Sequence, residues 1–473
     1  MSFQSAHFFL FLLSVVALNW LMSSRPFWRK TLLLIASYYF YMAWDWRFAG
    51  LLVALTVVNY FAGRGIARAS GNDRVRRLWL AVALTVCLGI LAFFKYANFF
   101  VHELQQLLTG IGLANDGSTL RVVLPIGISF FTFQSLSYVL DVFRRQEQEC
   151  RDMLSFAVFV AFFPTVLAGP ITRARHLLPQ LERCAVPDRL DMDQGLALVV
   201  RGMFKKVVFS NVLAAQLVDP AFSAPGNYSS LFLLIALYAY TFQIYMDVSG
   251  YTDIARGAAQ LCGFKLPDNF DRPYIAATVS NFWQRWHMSM SSFFRDYLYF
   301  GLGGTQRGNA YLNLMLTFLA IGVWHGAGWN FVLYGLIHGT VVCIERWRRS
   351  RRQRQGLPST VNHGLGWFVG VLLTFHIVVF SRVLFRAPDL SAAAEFMIQL
   401  FTSSSVALPI GPYGMLALVL AAAMHWFFPS VGTRMVVLFA GLPTLLQGLL
   451  LVLAFYFLAM LSVGAAPFVY FQF

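Results

Sequence analysis

The chain has 473 residues, of which 58% are hydrophobic and 12% charged, against roughly 45–50% and about 25% in ordinary globular proteins. That balance excludes a soluble protein of usual design and makes lipid the implied solvent. The net charge of +15 could suit a nucleic-acid binder, but Arg and Lys fall in short clusters between apolar runs, at 25–30, 64–77, 144–151, 173–183 and 346–354, which is the positive-inside pattern of membrane proteins.

A membrane span takes roughly 20 mostly apolar residues. In chain order the candidates are 7–23, 31–44, 49–63, 79–101, 122–140, 153–170, 196–218, 230–248, 311–324, 331–345, 367–385, 413–428 and 443–464, which gives about eleven to thirteen membrane helices. The runs at 31–44, 49–63, 122–140, 196–218, 311–324 and 331–345 are short or carry charge, Pro or Gly, and read as tilted, broken or re-entrant. No positive residue precedes 7–23 and no small-residue cleavage site follows it, so it reads as a retained span rather than a signal peptide. Arg25, Arg29 and Lys30 after it place the N-terminus away from the cytoplasm.

The polar breaks, at 110–121, 141–152, 173–194, 219–229, 265–280, 301–310 and 346–364, are short, and no internal repeat is evident. The expectation is one all-α polytopic membrane domain over 1–473. An all-β barrel is excluded because the apolar runs are continuous rather than alternating. The run 346–354 reads as a cytoplasmic topology anchor in preference to a lipid or nucleic-acid site. Cys87, Cys150, Cys184, Cys262 and Cys343 show no metal-type spacing and read as packing residues.

Function is to be sought in 240–340, where ionisable residues interrupt membrane-like sequence at a cost of roughly 2.5–3.5 kcal/mol each. Tyr245 to Asp253 places two carboxylates and two hydroxyls around Gly250. Asp, Ser and Gly favour a turn there, either a broken helix lining a passage or a helix boundary at the membrane surface.

Residues 281–300 show helical periodicity. Trp283, Trp286, Met290, Phe293, Phe294 and Tyr297 form one stripe and Arg285, Ser289, Ser292 and Asp296 another, which predicts an amphipathic helix. Pure scaffolding would not need His287 within it, although a lone histidine is more often structural than catalytic.

The third constellation is Gly322 to Gly339, with His325 and His338 in apolar sequence. An imidazole there can take and return a proton near neutral pH, and Gly322, Gly326 and Gly328 permit close approach of another backbone or a slim acyl chain. Catalysis and helix packing both remain open for His325 on these grounds. On one straight helix the two histidines would stand about 19.5 Å apart and roughly 140° around the axis, so one would react and the other support structure or passage. Counted back from the Arg346 cluster, His338 would lie roughly 12 Å and His325 roughly 31 Å deep.

Taken together, the segments 125–145, 163–170, 242–253, 267–274, 282–287, 296–304, 324–326 and 467–473 resemble the membrane-bound O-acyltransferase superfamily. The branch is the bacterial one of alginate O-acetylation membrane proteins and their cellulose-acetylation relatives, and the resemblance covers nearly the whole chain. It implies a helical fold around a central tunnel and an essential histidine. By motif position that histidine is His325, and the second polar position is His287. His338, Asp247, Arg285, Asp296 and Asn281 would support the site or line the tunnel.

The expected acyl donor is a cytoplasmic acyl thioester, most simply acetyl-CoA, and since no nucleotide-binding glycine pattern, metal cluster or Ser-His-Asp motif is evident, no bound cofactor or metal is expected. The resemblance also implies an extracytoplasmic acetyltransferase partner that completes transfer to a polysaccharide, and a place in the bacterial inner membrane among its lipids. Met246, Val248, Met288 and Met290 depart from the usual residues without removing an ionisable group. A carrier or flippase for a lipid-linked saccharide is the alternative of another class, and transfer of a D-alanyl or fatty acyl group the alternative within the family.

Overall fold

Peptide groups in hydrocarbon must be satisfied within their own segment or in a closed barrel, and every regular element among the described residues is helical. The computed structural model describes residues 3, 5–113, 122–183, 185–357, 363–409, 411–428 and 431–461. Cys184 and the closing segment 467–473 lie outside them. The helices Asp73–Gly110, Ser230–Leu261 and Gly364–Arg386, and the stretch Pro26–Arg68, are long and apolar enough to cross a membrane, and shorter apolar helices accompany them.

Two compact units divide the chain, Met1–Asp188 with Ala258–Leu266, and Arg189–Gly257 with Pro267–Phe473. The first contains α1 (Ala6–Leu21), α2 (Pro26–Asp45), α3 (Ala49–Arg68), α4 (Asp73–Gly110), α5 (Ile128–Phe143), α6 (Met153–Ala161) and α7 (Ala174–Arg183). The expected span 153–170 is not one helix: α6 stops before the Phe163-Pro164 step, where the residue preceding proline is disfavoured in the helical region. Buried turns follow, with Thr165 N–H bonded to the Phe162 carbonyl at 2.9 Å. In the run 122–140, helix begins only at Ile128, after Gly127 at φ +77°.

Arg29, read from sequence as part of a topology cluster, is almost fully buried in this unit. It bonds the Asn19 side chain at 2.8 Å and the Ala185 and Cys262 carbonyls at 2.9 and 2.8 Å. A buried guanidinium with its donors so used ties segments far apart in sequence.

The second unit contains α8 (Arg189–Phe204), continued by π-helical turns Lys205–Ser210 and Ala214–Val218, then α9 (Ser230–Leu261, to Gly257 in this unit), α10 (Val279–Arg285), α11 (Met288–Phe293), α12 (Ala310–His325) and α13 (Trp329–Arg354). After these come α14 (Gly364–Arg386), α15 (Leu390–Thr402), α16 (Pro412–Trp426), α17 (Val431–Ala440) and α18 (Thr444–Leu461). The expected turn or helix boundary at Tyr245–Asp253 is absent, since α9 passes straight through it. The reason is charge pairing from α8 and its continuation: Lys206 pairs with Asp247, while Arg201 and Lys205 hold Asp253 at 2.6 and 2.7 Å. Neutralised carboxylates no longer favour a turn, and Gly250 lets the Gly202 carbonyl approach so closely that a Cβ would stand 2.8 Å from it.

Candidate active site

His287 sits at a break. α10 starts with its Val279 and Ser280 amides on the Glu345 carboxylate, at 2.6 and 2.9 Å, so an acid on α13 anchors the positive end of α10. It ends at Arg285, and His287 adopts the left-handed conformation at φ +44°, ψ 55° before α11 resumes. The single amphipathic helix expected over 281–300 is therefore two. The loop at 269–271 supplies the bonds that the break removes: Asp271 N–H to the Arg285 carbonyl at 2.9 Å, Met288 N–H to the Asn269 carbonyl at 2.9 Å, and Ser289 N–H to Asn269 Oδ1 at 3.0 Å. Of the apolar stripe, Trp283, Trp286, Met290, Phe293 and Phe294 are buried and Tyr297 is half-buried, while Ser289 of the polar stripe is also buried, its hydroxyl donating to Asn269 Oδ1 at 2.9 Å.

His325 is the last residue of α12. The chain then reverses through Gly326, Ala327 and Gly328, and α13 returns antiparallel, so the single straight helix assumed for His325 and His338 does not exist. Glycines make the hairpin tight: a Cβ on Gly322 would lie 2.3 Å from the Phe331 carbonyl oxygen, and one on Gly335 would lie 2.6 Å from that of Phe318. Asn330 fastens the start of α13 to the end of α14 through the Leu384 and Ala387 carbonyls, at 3.0 and 3.1 Å.

This reversal gathers the histidines into one aromatic cluster. The Tyr334 ring lies 6.0 Å from His325 and 4.4 Å from His338, which puts the two imidazoles within about 10 Å of each other, half the straight-helix distance. The Trp324 ring is 4.8 Å from His325 and 5.8 Å from His287, and Phe385 of α14 packs 5.0 Å from His325. All three histidines are buried.

The partners of His338 define its state. Trp283 Nε1 can only donate, and it reaches His338 Nδ1 at 3.3 Å. The imidazole proton therefore sits on Nε2, which donates to Ser381 Oγ at 3.0 Å, and Ser381 passes its own proton to the Val378 carbonyl at 2.8 Å. Both ring nitrogens are spent on structure.

The remaining sequence candidates are placed elsewhere in the unit. Asp247 pairs with Lys206. Arg285 holds Asp271 at 2.8 Å and the Asn281 side chain at 3.1 Å, so Arg285 and Asn281 brace the loop beside the break. Asp296 pairs with exposed Arg295 at 2.8 Å on the π-helical turn Phe294–Tyr299. Residues not singled out from sequence are Asn269, Tyr334, Glu345, Ser381 and Arg382. Arg382 is 1% exposed, with its guanidinium carbon 4.4 Å from the Trp286 ring centroid and 5.4 Å from that of Phe385. An arginine inside the apolar run 367–385 was the available signal.

The family model of membrane-bound O-acyltransferases matches residues 82–385, which takes in the break, the hairpin and the aromatic cluster. The chain belongs to the membrane-bound O-acyltransferase family. It is accordingly a multi-pass membrane acyltransferase. It is 40% identical to a probable alginate O-acetylase of Azotobacter vinelandii over 84% of this chain and 78% of that one. A peptidoglycan O-acetyltransferase of Helicobacter pylori is 33% identical over 79% of this chain and 74% of its own length. A teichoic acid D-alanyltransferase of Bacillus subtilis is 27% identical over 55% and 68%.

As in other O-acyl transfers, a proton must leave the attacking hydroxyl and one must reach the leaving group, a task for an imidazole. Of the three imidazoles gathered around Trp324 and Tyr334, His325 and His287 meet across Trp324, while His338 is held as a neutral strut.

Proposed function

We propose that this acyltransferase moves acetyl groups from a cytoplasmic acyl thioester, most simply acetyl-CoA, toward the O-acetylation of an extracytoplasmic polysaccharide, with His325 as general base. The single observation that carries this reading is the position of His325 at the apex of a glycine-tight hairpin, ringed by Trp324, Tyr334 and Phe385 and facing His287 across Trp324. Similarity to O-acetylating relatives over most of the chain supports acetyl as the group and a cell-surface polymer of the alginate type as the acceptor.

His325 takes the proton of the attacking hydroxyl and returns it to the leaving thiolate. His287, held in its strained conformation by Asn269, orients or polarises the reactants. A separate acetyltransferase outside the membrane completes delivery to the polymer, and the chain resides in the bacterial inner membrane.

The test is polymer-bound acetate, measured by ester analysis of secreted polysaccharide from cells carrying intact protein or His325→Ala at matched membrane abundance. Loss of acetate with unchanged polymer yield is expected. Retained acetate would overturn the role of His325, and loss of the polymer itself would favour a saccharide carrier.

A further inference from the structure

An acyl transfer needs more than a base. When a hydroxyl adds to a thioester, the carbonyl oxygen becomes an oxyanion, and donors already aimed at it are often the largest source of rate enhancement. The cluster contains such donors in groups that the proton-transfer scheme does not use.

Arg382 carries a permanent charge and five N–H donors, and it is buried on α14, one residue beyond Ser381 and three before Phe385. Its guanidinium carbon lies 5.4 Å from the Phe385 ring, against which the Tyr334 ring packs at 5.6 Å, and Tyr240 packs 5.8 Å from Phe222, the ring that Arg386, one turn further along α14, also covers. Tyr240 is 0% exposed and Tyr334 1% exposed, and neither hydroxyl has a hydrogen-bond partner among the described residues. Buried hydroxyls are seldom left so, and two phenols packed near the Arg382–Arg386 turn of α14 make, with the guanidinium, a donor set suited to an oxygen bearing negative charge. The Tyr334 ring also lies 6.0 Å from that of His325, which sets one of these donors against the base.

We propose that Arg382, Tyr334 and Tyr240 form the oxyanion site of the transfer, an inference that rests on the acyl-thioester reading above. The acceptor oxygen bonds to the thioester carbonyl carbon while its proton moves to His325. The carbonyl π pair moves onto oxygen, and the resulting oxyanion accepts hydrogen bonds from the Arg382 guanidinium and the two phenols. The intermediate then collapses: C=O re-forms, the C–S bond breaks, and the thiolate takes the proton back from His325, leaving an ester and a free thiol.

The experiment uses the full chain in proteoliposomes, with acetyl-CoA as donor and the downstream acetyltransferase and an oligosaccharide on the acceptor side, reads release of free thiol, and compares Tyr334→Phe, Tyr240→Phe, Arg382→Lys, Arg382→Met and His325→Ala. Removing one oxyanion donor typically costs 10²–10³ in kcat. Tyr334→Phe is expected to lose about 10²-fold in kcat with KM for acetyl-CoA nearly unchanged, and Arg382→Lys to retain more activity than Arg382→Met. Tyr334→Phe removes one oxygen and keeps the ring, so it keeps the test valid if an Arg382 variant fails to fold. A kcat for Tyr334→Phe within twofold of the intact protein, or a loss carried wholly in KM, would overturn the oxyanion site. That outcome with His325→Ala inactive would leave the function reading standing, whereas an intact protein that does not turn over acetyl-CoA would overturn both.

Discussion

Trp283 donates its indole N–H to Nδ1 of His338 at 3.3 Å, across 55 residues of sequence. Since Nε2 then donates to Ser381, the chain Trp283, His338, Ser381, Val378 is a run of hydrogen bonds that joins α10, α13 and α14. It marks His338 as a strut within the second unit.

Replacing His338 with Gln should therefore lower stability more than turnover. A buried donor left without its acceptor costs about 1–3 kcal/mol, visible as a lower unfolding temperature of the purified protein in detergent. Activity per folded molecule should stay within a few-fold of the intact protein. A hundredfold loss of turnover in a normally stable His338→Gln protein would contradict the strut role.

The backbone at His287 is strained, and a non-glycine residue in the left-handed region costs of order 1–3 kcal/mol. His287→Gly should fold at least as stably as His287→Ala, by about 1 kcal/mol, because glycine relieves the φ of +44°. Thermal unfolding of the two variants checks this. If the imidazole takes part in transfer, both should be equally slow.

Glu345→Gln tests the anchor of α10. The carboxylate accepts the Val279 and Ser280 amides and the Ser280 hydroxyl, and replacing an anionic cap by a neutral amide should cost about 1 kcal/mol. Since α10 leads into His287, turnover should fall with stability and be partly recovered on cooling.

Breaking one side of a buried ion pair costs about 3–5 kcal/mol, while removing both sides is far milder. Asp247→Ala alone should sharply reduce membrane abundance, and Asp247→Asn with Lys206→Met should restore most of it. Immunoblots of membranes at equal expression decide this, and equal loss in the single and double variants would show that the pair does not govern the straight course of α9.

Gly335→Ala probes the hairpin. Its Cβ would stand 2.6 Å from the backbone oxygen of Phe318, which no rotamer change can relieve. The prediction is a protein of low abundance, or a folded one in which α12 and α13 have separated and transfer is lost.

The helical character of the chain and its membrane setting were legible in the sequence because continuous apolar runs are local signals, and ordered motifs were enough to single out His287 and His325 as candidates. What was not legible depends on partners distant in the chain. Tyr245–Asp253 reads as a turn until Lys206, Arg201 and Lys205 neutralise its carboxylates. The stretch 281–300 reads as one helix until Asn269 takes over the bonds at the break. Residues 311–324 and 331–345 read as two tilted or broken runs, but the tight antiparallel hairpin they form is visible only in what Gly322 and Gly335 pack against. Arg382 and Glu345 were passed over because each lies inside or beside a run whose hydropathy alone predicts a span.

The central claim is that His325, and not His338, is the reacting imidazole. The most direct measurement is single-turnover acetyl transfer from acetyl-CoA by the purified protein in proteoliposomes, comparing the intact chain with His325→Ala and His338→Gln at equal folded amounts. The account predicts a loss of about 10²-fold or more for His325→Ala, as expected for a general acid–base catalyst, and a rate within a few-fold of the intact protein for His338→Gln. An intact rate for His325→Ala, or the reverse ranking of the two variants, would contradict it.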